Sequence, residues 1–403
     1  MPNDLVVYTV VHQPRRVKLP AQPIPEGISA EDLEKCIFDE RINRFYFEKV
    51  SRTCYLPAIT MFKSMLEKGF KLSIGFSFSF IRQAEMWGQD VLQGFKELVS
   101  HPNVELVCVE PYHSFIFLFD IEMFIERMQW ARNYLEKTFG KKVNVTDTTE
   151  MYLSNDVYFA LNKAGFTGVL MDGRPWVMGW RDPTHLYNHA DKSLKVLTRH
   201  YQLSDDVGYR FSNTGWSGWP LLANSYAHWL KEAGGDFVFI GWDFETFGEH
   251  HREDSGIFWF MGSFPEELSW RNINCLTISE AIEKYKNTTY DLPLPEFGST
   301  WAGSGGMEFF LGNSAQLAIY QLMHNLLSKA RLTNKPELLD IALWLLQSDN
   351  LHLIQWYGKY GDEAEVSAYF TPKEWWHLGP DRIIWEQQQV YKNVIQALDY
   401  HVS

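Results

Sequence analysis

Residues 5–11 read Leu-Val-Val-Tyr-Thr-Val-Val, a run of apolar and β-branched side chains with little polar alternation. Such a run suits a strand covered on both faces, as in a parallel sheet, better than one with a wet side. Working outward, similar runs return at Leu72–Phe78, Val104–Val109, Val143–Thr146, Gly168–Met171, Leu194–Thr198 and Phe237–Gly241, with a weaker one at Asn274–Thr277. Amphipathic stretches lie between them. In Ile121–Phe139, Phe124, Met128, Ala131 and Leu135 recur at helical spacing. This alternation predicts a parallel α/β sheet, and seven or eight repeats favour its closure into a barrel.

The pattern stops near Pro293 and Pro295, where a Gly/Ser-rich stretch from Gly298 to Gly306 follows. Beyond it the spacing predicts helices over Ser314–Arg331, Pro336–Gln347 and Asp381–Tyr400, with Pro336 accommodated in a first turn. The expected division is a barrel domain over 1–290 and an all-helical domain over 300–403 that completes the substrate cleft.

Charge and composition narrow the function. The 403 residues carry 37 Lys and Arg against 50 Asp and Glu, a net charge of −13 that repels phosphate backbones, so no nucleic-acid partner is expected. No apolar run approaches the ~20 residues that a bilayer crossing needs, so no membrane partner is expected. Met1-Pro2-Asn3-Asp4 lacks the basic-then-apolar order of a secretory leader, and Cys36, Cys54, Cys108 and Cys275 show no CxxC spacing. Both features point to reduced thiols in the cytoplasm. Glycosylation acceptor triplets at Asn144 and Asn287 are then chance matches. Aromatic residues reach 16%, which makes a ring-shaped neutral substrate plausible because flat apolar faces stack on sugars. Oligomeric state, a homo-oligomer included, stays open.

In parallel barrels the chemistry sits at the carboxyl ends of strands. Here His12 follows the first strand, Glu110, Tyr112 and His113 the third, Glu150 the fourth, Asp172 the fifth, and Asp243, Glu245 and Glu249 the strand at 237–241. Some of these acids would be helix caps, but Ser154-Asn155-Asp156 can cap the helix after Glu150 in its place. His250-His251 beside Glu249 suggests a metal, yet adjacent side chains point apart on any regular element. No GxSxG, HExxH, Walker or GxGxxG motif occurs. Paired carboxylates with nearby Trp216, Trp219 and Trp242 remain, the apparatus of glycosidic bond cleavage.

Longer motifs carry a resemblance. They include Val11-His12-Gln13-Pro14, Phe38-Asp39-Glu40, Asn43-Arg44-Phe45, Cys54-Tyr55-Leu56-Pro57, Tyr112-His113-Ser114 and Thr149-Glu150 before Tyr152. Leu203-Ser204-Asp205-Asp206, Arg210-Phe211-Ser212, Trp216-Ser217-Gly218-Trp219-Pro220 and Trp242-Asp243-Phe244-Glu245-Thr246-Phe247-Gly248-Glu249-His250 continue it, with Leu311-Gly312-Asn313 and Leu346-Gln347-Ser348-Asp349 beyond the boundary. Together they resemble glycoside hydrolase family 57, the α-amylase-type enzymes acting on α-glucans. The resemblance implies a (β/α)7 barrel, an incomplete TIM-like barrel, followed by a C-terminal all-helical region. It also implies a retaining mechanism without cofactor or metal, with Glu150 as nucleophile and Asp243 as general acid/base, on α-glucan or maltooligosaccharide substrates. His12 and His113 would bond sugar hydroxyls, Trp216, Trp219 and Trp301 would stack, and Glu110, Trp242, Glu245 and His250 would line subsites.

Two departures stand out. Asp147-Thr148-Thr149-Glu150 has a carboxylate where related sequences usually carry Asn, and Val109-Glu110-Pro111-Tyr112 replaces the commoner Glu-Thr-Tyr-Tyr. Alternative readings are a 4-α-glucanotransferase using the same pair, a glucan-binding protein with a degenerate site, and a metal-dependent deacetylase on a similar barrel.

Overall fold

The chain is described by a computed structural model covering residues 2–361, 364, 365 and 368–402. Its first strand, β1 (Asp4–Val11), is buried along its whole length, as an all-apolar run requires. Nine more strands follow: β2 (Leu72–Phe76), β3 (Val104–Val107), β4 (Val145–Thr146), β5 (Gly168–Asp172), β6 (Leu186–Asn188), β7 (Lys195–Arg199), β8 (Phe237–Asp243), β9 (Asn274–Leu276) and β10 (Tyr290–Asp291). Helices alternate with them, Ile121–Phe139 among them with the predicted bounds.

One sheet runs β3-β2-β1-β8, and the other runs β10-β6-β7-β5-β4. β1 is paired on both edges. Tyr8 faces Ser73 of β2 on one side, and Val10 faces Asp243 of β8 on the other. β9 is parallel to the amino half of β1. The sheets meet at a parallel bridge between Cys108 and Thr146, where Asp147 N–H also donates to Cys108 O at 2.8 Å. At the opposite seam His200 N–H donates to Phe239 O at 2.7 Å. Seven parallel strands therefore succeed one another as β8, β1, β2, β3, β4, β5 and β7, the α/β arrangement the sequence predicts. Ladders run within each sheet, while isolated bonds hold the seams.

Alternate residues of β1, namely Val6, Tyr8 and Val10, join Val107, Val145, Met151, Leu170, Leu197 and Phe239 in one buried cluster. Gly75 of β2 makes room for it. A Cβ there would stand 2.5 Å from Val109 and 2.9 Å from the Tyr8 hydroxyl.

Some strands end earlier than expected. β2 stops at Phe76 because Ser77 caps the helix Phe78–Trp87, its hydroxyl accepting from Phe80 N–H. β4 keeps only Val145 and Thr146 because Val143 N–H turns to the Glu136 side chain. β6 and β10 were not anticipated, since runs of two or three residues show no periodicity.

The chain separates into two compact units that interleave in sequence. The first comprises 1–13, 46–111 and 121–301, and the second comprises 14–45, 112–120 and 302–403. Segments 14–45 and 112–120, which the strand pattern leaves within 1–290, thus fold with the helical part. In the second unit, helix Ser314–Leu332 packs on Pro380–Asp399 and Pro336–Leu345, and Asn313 with Gln316 forms a capping box at its start. Buried Gln347 binds Arg15 through both backbone groups, accepting from its N–H at 2.8 Å and donating to its carbonyl at 3.1 Å. No helix among the described residues is long and apolar enough to cross a membrane.

Candidate active site

Glu150 stands four residues beyond β4, on a turn forced into an uncommon backbone. Glu150 and Met151 both take left-handed conformations, with φ of 57° and 50°. Each costs on the order of 1–3 kcal/mol for a residue with a side chain, so the surroundings must hold them there. Met151 is anchored in the barrel core, and two residues on, Leu153 and Ser299 exchange backbone bonds, both 3.0 Å long. Trp301 N–H donates to the Glu150 carbonyl at 3.0 Å, and the Trp301 indole Nε1–H donates to Glu150 Oε2 at 2.6 Å. Capping does not consume this acid, because Ser154 caps the following helix, as expected from sequence.

Asp243 is the last residue of β8. A 3-10 turn, Phe244–Thr246, starts directly after it, and the Asp243 side chain makes no capping bond to that turn. It is half-buried, as is Glu150. Two deeply buried acids feel its charge. Asp147 accepts from the Tyr8 hydroxyl at 2.9 Å and from Thr148 N–H at 2.7 Å. Burial, and to a lesser degree Asp243, push its pKa up to about 7. Glu245 accepts from the Tyr55 hydroxyl at 2.6 Å, with His12 N–H farther away at 3.4 Å. Burial and then Asp243 push it up to about 8. Asp147 and Glu245 therefore retain protons near neutrality, with the Asp243 charge adding to burial in both. Tyr55 ends a single π-helical turn, Ser51–Tyr55, a backbone irregularity that aims its hydroxyl at Glu245 and accepts a bond from Gln13.

The remaining residues singled out from sequence divide by environment. His12 is half-buried, with Nδ1 2.8 Å from the Ser77 hydroxyl. Glu110 is fully buried. His113 belongs to the second unit, where its ring lies 3.0 Å from the Ser348 hydroxyl. Trp216 is half-buried with Trp229 and Arg210 beside its ring, and Trp219 is 46% exposed. His250 is half-buried, and its backbone N–H donates to Glu245 O at 2.9 Å. His251 spends its two ring nitrogens on Ser212 and Gly208, so the histidine pair does not present two ligands to one ion.

Trp242 is a correction to the sequence reading. It is 2% exposed, its indole donates to Ser204 O at 2.7 Å and its ring meets Phe247 edge-on, so it packs the interior and offers no stacking face. Trp301, a candidate stacking ring in the sequence, is half-buried and directs its indole N–H at a carboxylate. Asp172 ends β5 fully buried between Arg199 and Arg174, at 2.8 and 2.5 Å. Sequence reading passed over Tyr8, Tyr55, Arg174 and Arg199. A tyrosine inside an all-apolar strand was the available signal, because its buried hydroxyl needs a partner. An arginine one residue past the Leu194–Thr198 run was another.

Known proteins resemble this chain in sequence and in fold. The family model described as glycosyl hydrolase family 57 matches residues 7–293. A protein of Methanocaldococcus jannaschii that carries an alpha-amylase name is 31% identical over 406 residues, covering 98% of this chain and 83% of its own. Among solved structures, the 4-alpha-glucanotransferase of Thermococcus litoralis superposes with a TM-score of 0.67 at 16% identity, over 86% of this chain; the chain spans 55% of that enzyme. The GH57-type branching enzyme of Pyrococcus horikoshii gives a TM-score of 0.64 at 15% identity, over 99% of this chain and 97% of its own. The structural matches share the fold. The family match across most of the barrel and the close relative across nearly the whole length establish that this chain belongs to glycosyl hydrolase family 57.

Proposed function

We propose that this glycoside hydrolase cleaves α-glucosidic linkages of α-glucans, mainly α-1,4, with retention of configuration, Glu150 as nucleophile and Asp243 as general acid/base. One observation carries the reading. Two half-buried acids stand at the carboxyl ends of barrel strands: one on a left-handed turn and bonded by an indole, the other beside two buried acids that feel its charge. In the first step a Glu150 oxygen attacks the anomeric carbon, the glycosidic C–O bond breaks, and Asp243 protonates the departing oxygen. In the second, Asp243 takes a proton from water, whose oxygen displaces Glu150 from the same carbon. Asp243 stands close enough to buried Asp147 and Glu245 for its charge to raise both of their pKa values, which places it among proton-holding groups.

Within the first unit, His12, Trp216, Trp219 and His250 are proposed to line substrate subsites. The names of relatives support a glucan substrate, and both hydrolase and transferase names occur among them. The four cysteines stand as free thiols, which supports a reducing, cytoplasmic compartment.

Glu150→Gln and Asp243→Asn test the pair. Each variant is expected to lose activity on amylose by orders of magnitude while melting as the wild type does; full activity in either overturns the assignment. Incubation with maltotriose reads the partition between water and sugar acceptors. Reducing ends rise under hydrolysis, whereas longer products without such a rise point to the glucanotransferase.

A further inference from the structure

Trp301 is held through both its backbone and its ring. Its backbone N–H donates to the Glu150 carbonyl, and its own carbonyl accepts from Arg174. Its ring packs on the barrel core, and the Arg199 guanidinium lies over it, 5.6 Å from the ring centroid. Arg199 is itself buried and bonded on several sides. It donates to Gly241 O at 2.9 Å, to Asp172 at 2.8 Å and to Asp205 at 2.7 Å. Asp172 binds Arg174 as well, so one buried carboxylate organises both arginines that hold Trp301. A stacking platform needs an accessible face and gains nothing from an aimed N–H. This half-buried indole directs its N–H, at 2.6 Å, at one oxygen of Glu150.

We propose that Trp301 is the positioning residue of the nucleophile: its indole N–H fixes the rotamer of the Glu150 carboxylate and stabilises its negative charge, and the Asp172–Arg174–Arg199 network exists to hold that indole. The inference rests on Glu150 being the nucleophile. A neutral donor on a carboxylate strengthens the charged form, so losing it raises the carboxyl's affinity for protons. It also releases a side chain that must meet the anomeric carbon in line.

Trp301→Phe keeps an aromatic ring and deletes only the donor. A charge-assisted hydrogen bond of this kind corresponds to a loss of about 10- to 100-fold in kcat. KM for maltooligosaccharides should hold within about threefold. The acid limb of the kcat/KM profile should move to higher pH, because the nucleophile must be ionised to attack. Benzothienylalanine at position 301, with sulfur in place of N–H in a ring of nearly the same form, should reproduce these changes even where Phe disturbs folding. Wild-type kcat in the benzothienyl variant, an unmoved acid limb, or a raised KM with unchanged kcat overturns the proposal in favour of stacking. Glu150→Gly assayed with azide separates the underlying reading. Turnover restored as a glycosyl azide upholds the nucleophile whatever Trp301 does, and absence of rescue removes the nucleophile and this proposal together.

Discussion

Replacing Asp147 by Asn removes one ionisable group from the acidic cluster while preserving its size. The native carboxyl is 2% exposed, and its pKa rises from an ordinary 3.8 to about 7. Between these values the folded protein holds a proton at Asp147 that the unfolded chain has released. Folding therefore binds protons in that window, and stability falls as pH rises through it, levelling off above about pH 7. At ~1.4 kcal/mol per unit, the decline attributable to Asp147 is on the order of 4 kcal/mol. Asn cannot ionise and lacks this decline. Its carbonyl can still accept from Thr148 N–H, and Tyr8 need only turn its hydroxyl to accept from the amide. Urea unfolding of both proteins from about pH 4.5 to 8.5 measures the difference. The variant should match the wild type within about 1 kcal/mol at the acid end and become the more stable protein by up to about 4 kcal/mol at the alkaline end. Glu245 contributes a parallel decline to both proteins and largely cancels in the comparison. A difference independent of pH, or one favouring the wild type as pH rises, would refute the reasoning.

Arg199→Met strips Asp172 and Asp205 of a buried partner and should cost about 3–5 kcal/mol in the same unfolding assay, because a buried carboxylate loses half its compensation. Unchanged stability would mean that Arg174 alone satisfies Asp172. Trp219→Ala should raise KM for long maltooligosaccharides about 2- to 10-fold at constant kcat, the worth of one aromatic contact, and an unaltered KM would remove Trp219 from the substrate path.

How much was legible in the sequence depends on the length of the signal. β1, β5 and β8 announced themselves because a parallel strand covered on both faces must be apolar throughout, and helix Ile121–Phe139 because its buried residues repeat with the helical period. β4, β6 and β10 are too short for either period, and their pairing comes from neighbours distant in sequence. The interleaving of the two units was equally hidden. Among the contacts that bind segment 14–45 to the helices are two bonds between Arg15 and Gln347, residues 332 apart.

Strand-end acids were legible for a different reason: barrel topology gathers strand ends, so position along the chain already implies a shared rim. Local composition did not reveal what each side chain meets. Asp172 and Asp243 both end strands, yet buried arginines claim the first, while the second enters a turn without capping it. The tryptophans show the same limit. Trp242 and Trp301 look alike as residue types, but Ser204 uses the indole of one for packing and Glu150 receives the bond of the other.

The central claim is covalent, and trapping tests it most directly. Incubation with a 5-fluoro α-glucosyl fluoride, which slows breakdown of the glycosyl-enzyme, followed by mass spectrometry of proteolytic peptides should find one fluoroglucosyl ester. The account predicts that ester on the peptide containing Glu150, and its absence in Glu150→Gln. An ester on any other carboxylate, or a normal-substrate product released as the β anomer, would contradict it.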